Sequence, residues 1–207
     1  DEDTGSGWSA EMLPGTQVYN GSNMGLIGLT NKLFLSEKAR IESSVSASYS
    51  NSFNNVDSIG KTENSNFYND SYSETTYSFS TKYILKSSAK NTLQIGLTAE
   101  LFDFNFFDET YINQLNKFVQ NTNTDGNAML YQLYFQSKNR LTNDLTVNWG
   151  LHSQLFGLNN SMIVEPRFGL SYAINHKHSV NLGYGLHGQI QPRLIYFVQT
   201  PVESNSD

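Results

Sequence analysis

The chain has 207 residues, a formal net charge of −6, a pI near 5.2, 15% charged residues and no cysteine. The acidic balance and the lack of a basic stripe exclude an ordinary nucleic-acid binder, and the missing thiols exclude disulfide scaffolds, thiolate zinc sites and cysteine nucleophiles. No apolar run approaches the roughly 20 residues of a membrane-spanning helix, so a chain of this composition that spans a membrane does so as a closed β-barrel.

Taken in order, the sequence reads as strand after strand. Ile27, Leu29, Leu33 and Leu35 lead to a polar turn at Ser36-Glu37-Lys38, after which Ile41, Val45, Ala47 and Tyr49 alternate with Glu42, Ser44, Ser46, Ser48 and Ser50. That period of two is the mark of a strand with one apolar face. A long polar loop is predicted over about residues 51–70. Tyr77, Phe79, Tyr83 and Leu85 then alternate with Glu74, Thr76, Ser78, Ser80 and Lys82, and Ser87-Ser88-Ala89-Lys90 reverses the chain. Leu93, Ile95, Leu97, Ala99 and Leu101 oppose Gln94, Gly96, Thr98 and Glu100. They run into an aromatic segment with Phe102, Phe104, Phe106 and Phe107, placed as an upper girdle or, on its inward members, as a ligand-facing patch. A second long loop is predicted over about residues 106–127.

Alternation resumes with Met129, Tyr131, Leu133 and Phe135, turns at Thr142-Asn143-Asp144, and continues through Leu145, Val147, Trp149, Leu151 and Leu155. After Asn159-Asn160 comes a hairpin. Phe168, Leu170, Tyr172 and Ile174 face one way and Glu165, Arg167, Gly169 and Ser171 the other; beyond Asn175 to His178, Val180, Leu182, Tyr184 and Leu186 oppose Asn181, Gly183, Gly185 and His187. Pairing Ile174 with Val180, Arg167 with His187 and Glu165 with Gln189 keeps both apolar sets on one face.

These segments make about eight strands of some 12 to 15 residues. Tight turns near residues 37, 88, 143 and 177 lie at one end, and the long connections at the other. The fold class expected is all-β, an antiparallel up-and-down transmembrane β-barrel, as a partial segment of about eight strands from a larger barrel. Long strands, one-sided loops and polar faces of Ser, Thr, Asn, Gln and Gly favour lipid on the apolar side. A soluble barrel with a greasy interior has the same period, and a soluble exterior is normally richer in Lys and Glu. Two alternatives remain open: a small complete outer-membrane barrel with a structural or adhesive role, closed by strands over residues 8–20 and 193–202, and a soluble all-β binding protein.

The stretch EPRFGLSYAINHKHSVNLGYGLHGQIQP, preceded by LTNDLTVNWGLHSQLFGLNN, resembles the barrel of TonB-dependent receptors of the Bacteroidetes type over residues 141–197. The resemblance implies a place in the outer membrane of a Gram-negative bacterium and import of nutrients by a roughly 22-stranded barrel. It also implies outer-membrane lipid, a plug domain, the TonB system and a surface lipoprotein as partners, and no covalent chemistry. No cofactor or metal site is expected. His176 and His178 belong to a turn, Asn123, Asp125 and Gly126 lack the bidentate Glu that a calcium loop needs at the position of Gln132, and His152 and His187 read as lumen wall. The candidate site is a polar cluster of Glu165, Arg167, His187 and Gln189, forming two cross-strand pairs on the lumen face that brace the wall or hold the plug.

Overall fold

The structure, a computed structural model, describes residues 15–59 and 64–197. Eight strands follow one another in the chain: β1 Thr16–Phe34, β2 Ala39–Ile59, β3 Asn64–Lys86, β4 Asn91–Ile112, β5 Lys117–Arg140, β6 Leu145–Phe156, β7 Ser161–Asn175 and β8 His178–Gly185. They form one antiparallel sheet in the order β1 to β8, the up-and-down arrangement that period-two patterning separated by short turns dictates. Among the described residues β1 and β8 each have one neighbour, so the sheet is open.

All four short turns are built alike. Ser36 Oγ accepts the amides of Lys38 and Ala39, Ser88 Oγ those of Lys90 and Asn91, Thr142 Oγ1 those of Asp144 and Leu145, and Asn175 Oδ1 those of Lys177 and His178. A short polar side chain thus stands in for a backbone acceptor at the point of reversal. The expected turns are all present.

Most of the two segments predicted as long loops is strand; residues 60–63 of the first lie outside the described residues, and the second turns over 113–116. β2 and β3 stay paired through Ile59↔Asn64, and β4 and β5 through Ile112↔Lys117. Ser, Thr and Asn hide the alternation there because both faces are polar, yet the extended backbone continues, with Asn66 Nδ2 donating to Asp57 and Asn69 Nδ2 to Glu109 across the strands. β1 to β5 are therefore longer than the expected 12 to 15 residues, reaching 24 in β5, while β6 and β7 have 12 and 15 and β8 has 8. Of the closing strands considered over residues 8–20 and 193–202, most positions lie outside the described residues; β1 begins at Thr16, and Arg193–Phe197 is a 3₁₀ turn.

The register of the last hairpin also differs. Leu170 pairs with Leu182 and Tyr172 with Val180, two residues tighter than expected. A shift of two preserves the faces, so parity could not choose between the registers. The turn did: Asn175 closes it over His176 and Lys177, with a bulge between Ala173 and Asn175.

Registered rows place most of the alternating apolar residues on one side; on β1, Met24, Leu26 and Phe34 fall on the other. Ile27, Ala47, Tyr77, Leu101 and Met129 face the same way across β1 to β5, and the matching rows below run down to Ala39, Leu85, Leu93 and Ser137. The next row up on this face is Tyr49, Thr75, Asp103 and Asn127, and above it come Asn51, Ser73, Asn105 and Asp125. The apolar band thus covers nine residues on each of β2 to β5, about 30 Å along a strand at roughly 3.3 Å per residue. Ser43 and Thr81 interrupt it, and their hydroxyls bond each other at 2.9 Å. The band is bare: Leu29, Leu133, Leu182 and Tyr184 are 70, 54, 64 and 67% exposed.

Candidate functional site

The opposite face carries the hydrophilic residues and the most enclosed groups of the molecule. One registered row crosses seven strands: Lys32, Glu42, Lys82, Gly96, Tyr134, His152 and Glu165. At its far end Glu165 on β7 is 1% exposed. His152 stands opposite on β6 with Nδ1 2.9 Å from Glu165 Oε2, and its Nε2 lies 3.3 Å from Gln132 Oε1 on β5. Arg167, two residues along β7, donates from Nη2 to the same carboxylate oxygen at 2.6 Å, and the Gly188 amide donates to Oε1 at 2.6 Å. A carboxylate this enclosed persists because cationic and amide donors surround it.

The expected cluster is therefore half assembled. Glu165 and Arg167 are together, but through a bond along one strand. The cross-strand pairs of Arg167 with His187 and Glu165 with Gln189 do not form; Arg167 faces Gly185, and His187 and Gln189 are exposed beyond the end of β8. The two-residue shift of register separates both pairs, and Pro166 ends the ladder. Its carbonyl accepts the Leu186 amide at 3.2 Å, so its nitrogen faces β8 as well, and proline has no N–H to return to Leu186. The ladder stops there, and the chain leaves the sheet at Gly185.

Residues 186–197 instead run over the polar face. Beyond the Gly188–Glu165 tether, Gln154 Nε2 donates to the Gly188 carbonyl at 3.4 Å. Arg193 donates from Nε and Nη2 to Glu74 on β3 and stacks 4.0 Å above the Phe102 ring. Phe197 packs against Phe104 and Phe106, and Tyr196 against Phe156. Of the two placements open for the aromatic run, Phe102, Phe104 and Phe106 take the inward one and Phe107 the outward one. With Ala128, Leu130 and Phe156 the three inward rings form the buried apolar cluster. Higher on β3, above the band, burial and then the neighbouring Tyr72 and Asp70 push the Tyr68 phenol above its ordinary range, and burial does the same for Tyr72.

The sequence carried signals for some of what was missed. Reflecting the chain about the four-residue turn 157–160, where Asn160 has φ 56° and Asn159 Oδ1 accepts the Ser161 amide, puts His152 opposite Glu165. No local signal joins Arg193 to Glu74, which are 119 residues apart. Among the described residues no three of His, Cys, Asp or Glu lie together as a metal site would require. His178 Nδ1 faces Asn175 Oδ1 within its own turn, and Asn123, Asp125 and Gly126 lie in extended β5, a backbone that does not wrap a cation. Compared with protein-family models and with curated proteins, the chain has no match.

Proposed function

We propose that this chain forms part of the wall of an outer-membrane β-barrel of the TonB-dependent receptor kind, and that it serves nutrient import without covalent chemistry. The observation that carries the first part is the bare apolar band. Soluble monomers rarely expose contiguous apolar surface beyond a few hundred Å², whereas this band runs across the sheet and on β1 to β5 ends on one registered row. Its nine residues match the 9 to 11 of a tilted transmembrane strand, with polar residues facing the lumen. Tyr77 and Tyr131 lie in or next to its top row, and Tyr172 and Tyr184 toward the short turns, as in an interfacial girdle. The receptor assignment is finer and is supported by the resemblance over residues 141–197. In this proposal further strands join both edges, and the 22-stranded plugged barrels of such transporters supply the plan.

The experiment is to place a nitroxide in turn at Leu133, Gln132 and Asp125 in the chain refolded into bilayers and to compare relaxation by oxygen and by a polar reagent. Oxygen prevails at Leu133 and the polar reagent at Gln132 and Asp125. Shielding of Leu133 from both, with Gln132 open to bulk water on an outer surface, would reverse the faces and remove the membrane wall.

A further inference from the structure

Charge is unevenly spread over the polar face. The half toward the short turns holds Lys32, Arg40, Lys82, Lys138 and Arg167 with Glu42 and Glu165, and the half away from them holds Asp70, Glu74, Glu100 and Asp108 with Arg193, in a chain whose net charge is −6. On the basic half, three cations converge on one carboxylate. Glu42 Oε1 lies 2.8 Å from Arg40 Nε and 3.4 Å from Lys32 Nζ, and its Oε2 lies 2.9 Å from Lys82 Nζ. Three positive charges against one negative leave a formal +2. The carboxylate holds the three together, and Lys32 and Lys82 stay 54 and 40% exposed, so each ammonium keeps donors free.

Lys32, Glu42 and Lys82 border a cavity of about 540 Å³. Thr30, Ser44, Ser80, Thr98 and Tyr134 add hydroxyls to its wall, and Asn31, Ser43, Thr81 and Leu97, residues of the row on the other face, also border it. Ser44 and Ser80 share one bond at 2.8 Å, which uses a single hydroxyl hydrogen and leaves the other to donate. Tyr134 reaches the cavity from β5 by lying over β4, and Gly96 permits it. A Cβ at residue 96 would come within 2.2 Å of the Tyr134 ring, so this reach exists because position 96 carries no side chain.

We propose that this cavity binds a small polar molecule carrying a doubly charged phosphate or a pair of carboxylates. Lys32 and Lys82 take the anionic end as charge-assisted donors, the hydroxyls orient it, and the volume left over holds an uncharged polar body. The site's ammonium groups and the hydroxyls of Thr30, Ser44, Ser80, Thr98 and Tyr134 stand on the face away from the apolar band, which assigns them a soluble ligand and not a lipid headgroup. It goes beyond the proposed import role, and its chemistry stands without it.

Inorganic phosphate and citrate are titrated calorimetrically, at low ionic strength, into the whole chain folded in a non-ionic detergent. The wild type binds. Lys82→Met weakens binding at least about tenfold, the loss of one charge-assisted contact, while Lys138→Met, on the same face but outside the cavity, leaves it unchanged. Tyr134→Phe keeps every charge and weakens binding a few-fold, and it decides the matter if Lys82→Met does not fold. Absence of heat with both anions from a chain with intact strand signal overturns the proposal, as does equal weakening by Lys138→Met and Lys82→Met, which is diffuse attraction. Anion binding together with the reversed nitroxide pattern keeps this site and removes the membrane wall; lipid contact without anion binding does the opposite.

Discussion

Glu165 makes three contacts at once: His152 on the neighbouring strand, Arg167 on its own, and the Gly188 amide of the segment that has left the sheet. Glu165→Ala removes the acceptor of the Gly188 amide, and exchange at that amide accelerates about tenfold or more, the equivalent of a hydrogen bond to a charged group; Glu165→Gln, which keeps an oxygen, has the smaller effect. Amide exchange followed by NMR in detergent checks both. Parity alone placed Glu165 and Arg167 on the polar face, because alternation needs no knowledge of partners. It assigned the wrong partners because two registers with the same faces differ by two residues, and because the missing N–H of Pro166 acts one strand away from where it is written.

At the scale of elements, the short turns were legible because each announces itself with a Ser, Thr or Asn at its first position. The long hairpins were not, since a strand with polar residues on both faces has no period to read. The last hairpin offers a direct check on register. Pro166 facing Leu186 through a hydrogen bond makes Ser171 and Asn181 a pair without mutual hydrogen bonds, whose Cα atoms approach to about 4.5 Å. Cysteines at Ser171 and Asn181 therefore join under mild oxidation in a chain with no other thiol. Cysteines at Ser171 and Gly183 sit diagonally, about 7 Å or more apart, and oxidise far more slowly. The reverse order, read by mass spectrometry, restores the looser register.

For the molecule as a whole, the apolar band is shorter than the strands that cross it. β2 runs twelve residues past Ala47, and β5 begins twelve residues before Met129, so the sheet rises well clear of any bilayer the band fits. A series of nitroxides down the outer face of β3, at Ser71, Ser73, Thr75, Tyr77 and Phe79, reports immersion depth, and the step from water to lipid falls between Thr75 and Tyr77. A step two or more sites away would detach the band from the membrane boundary. This boundary was legible only in part: each strand shows where its own alternation fades, but that the fading falls on one row depends on the registers, which the turns set.

The outer edge of β1 runs for nineteen residues with no strand beside it among those described, and β7 continues past the point where β8 departs. Inside a bilayer, backbone amides and carbonyls left without partners cost several kcal/mol each, so such an edge does not rest there alone. The edges at the two ends of the sheet are different surfaces. One copy's β1 meeting another's β7–β8 edge repeats head to tail without a built-in stop. Prepared without neighbouring strands, the sheet is a template for its own copies, and the size of what forms is governed by protein concentration and by how quickly lipid or detergent reaches those edges.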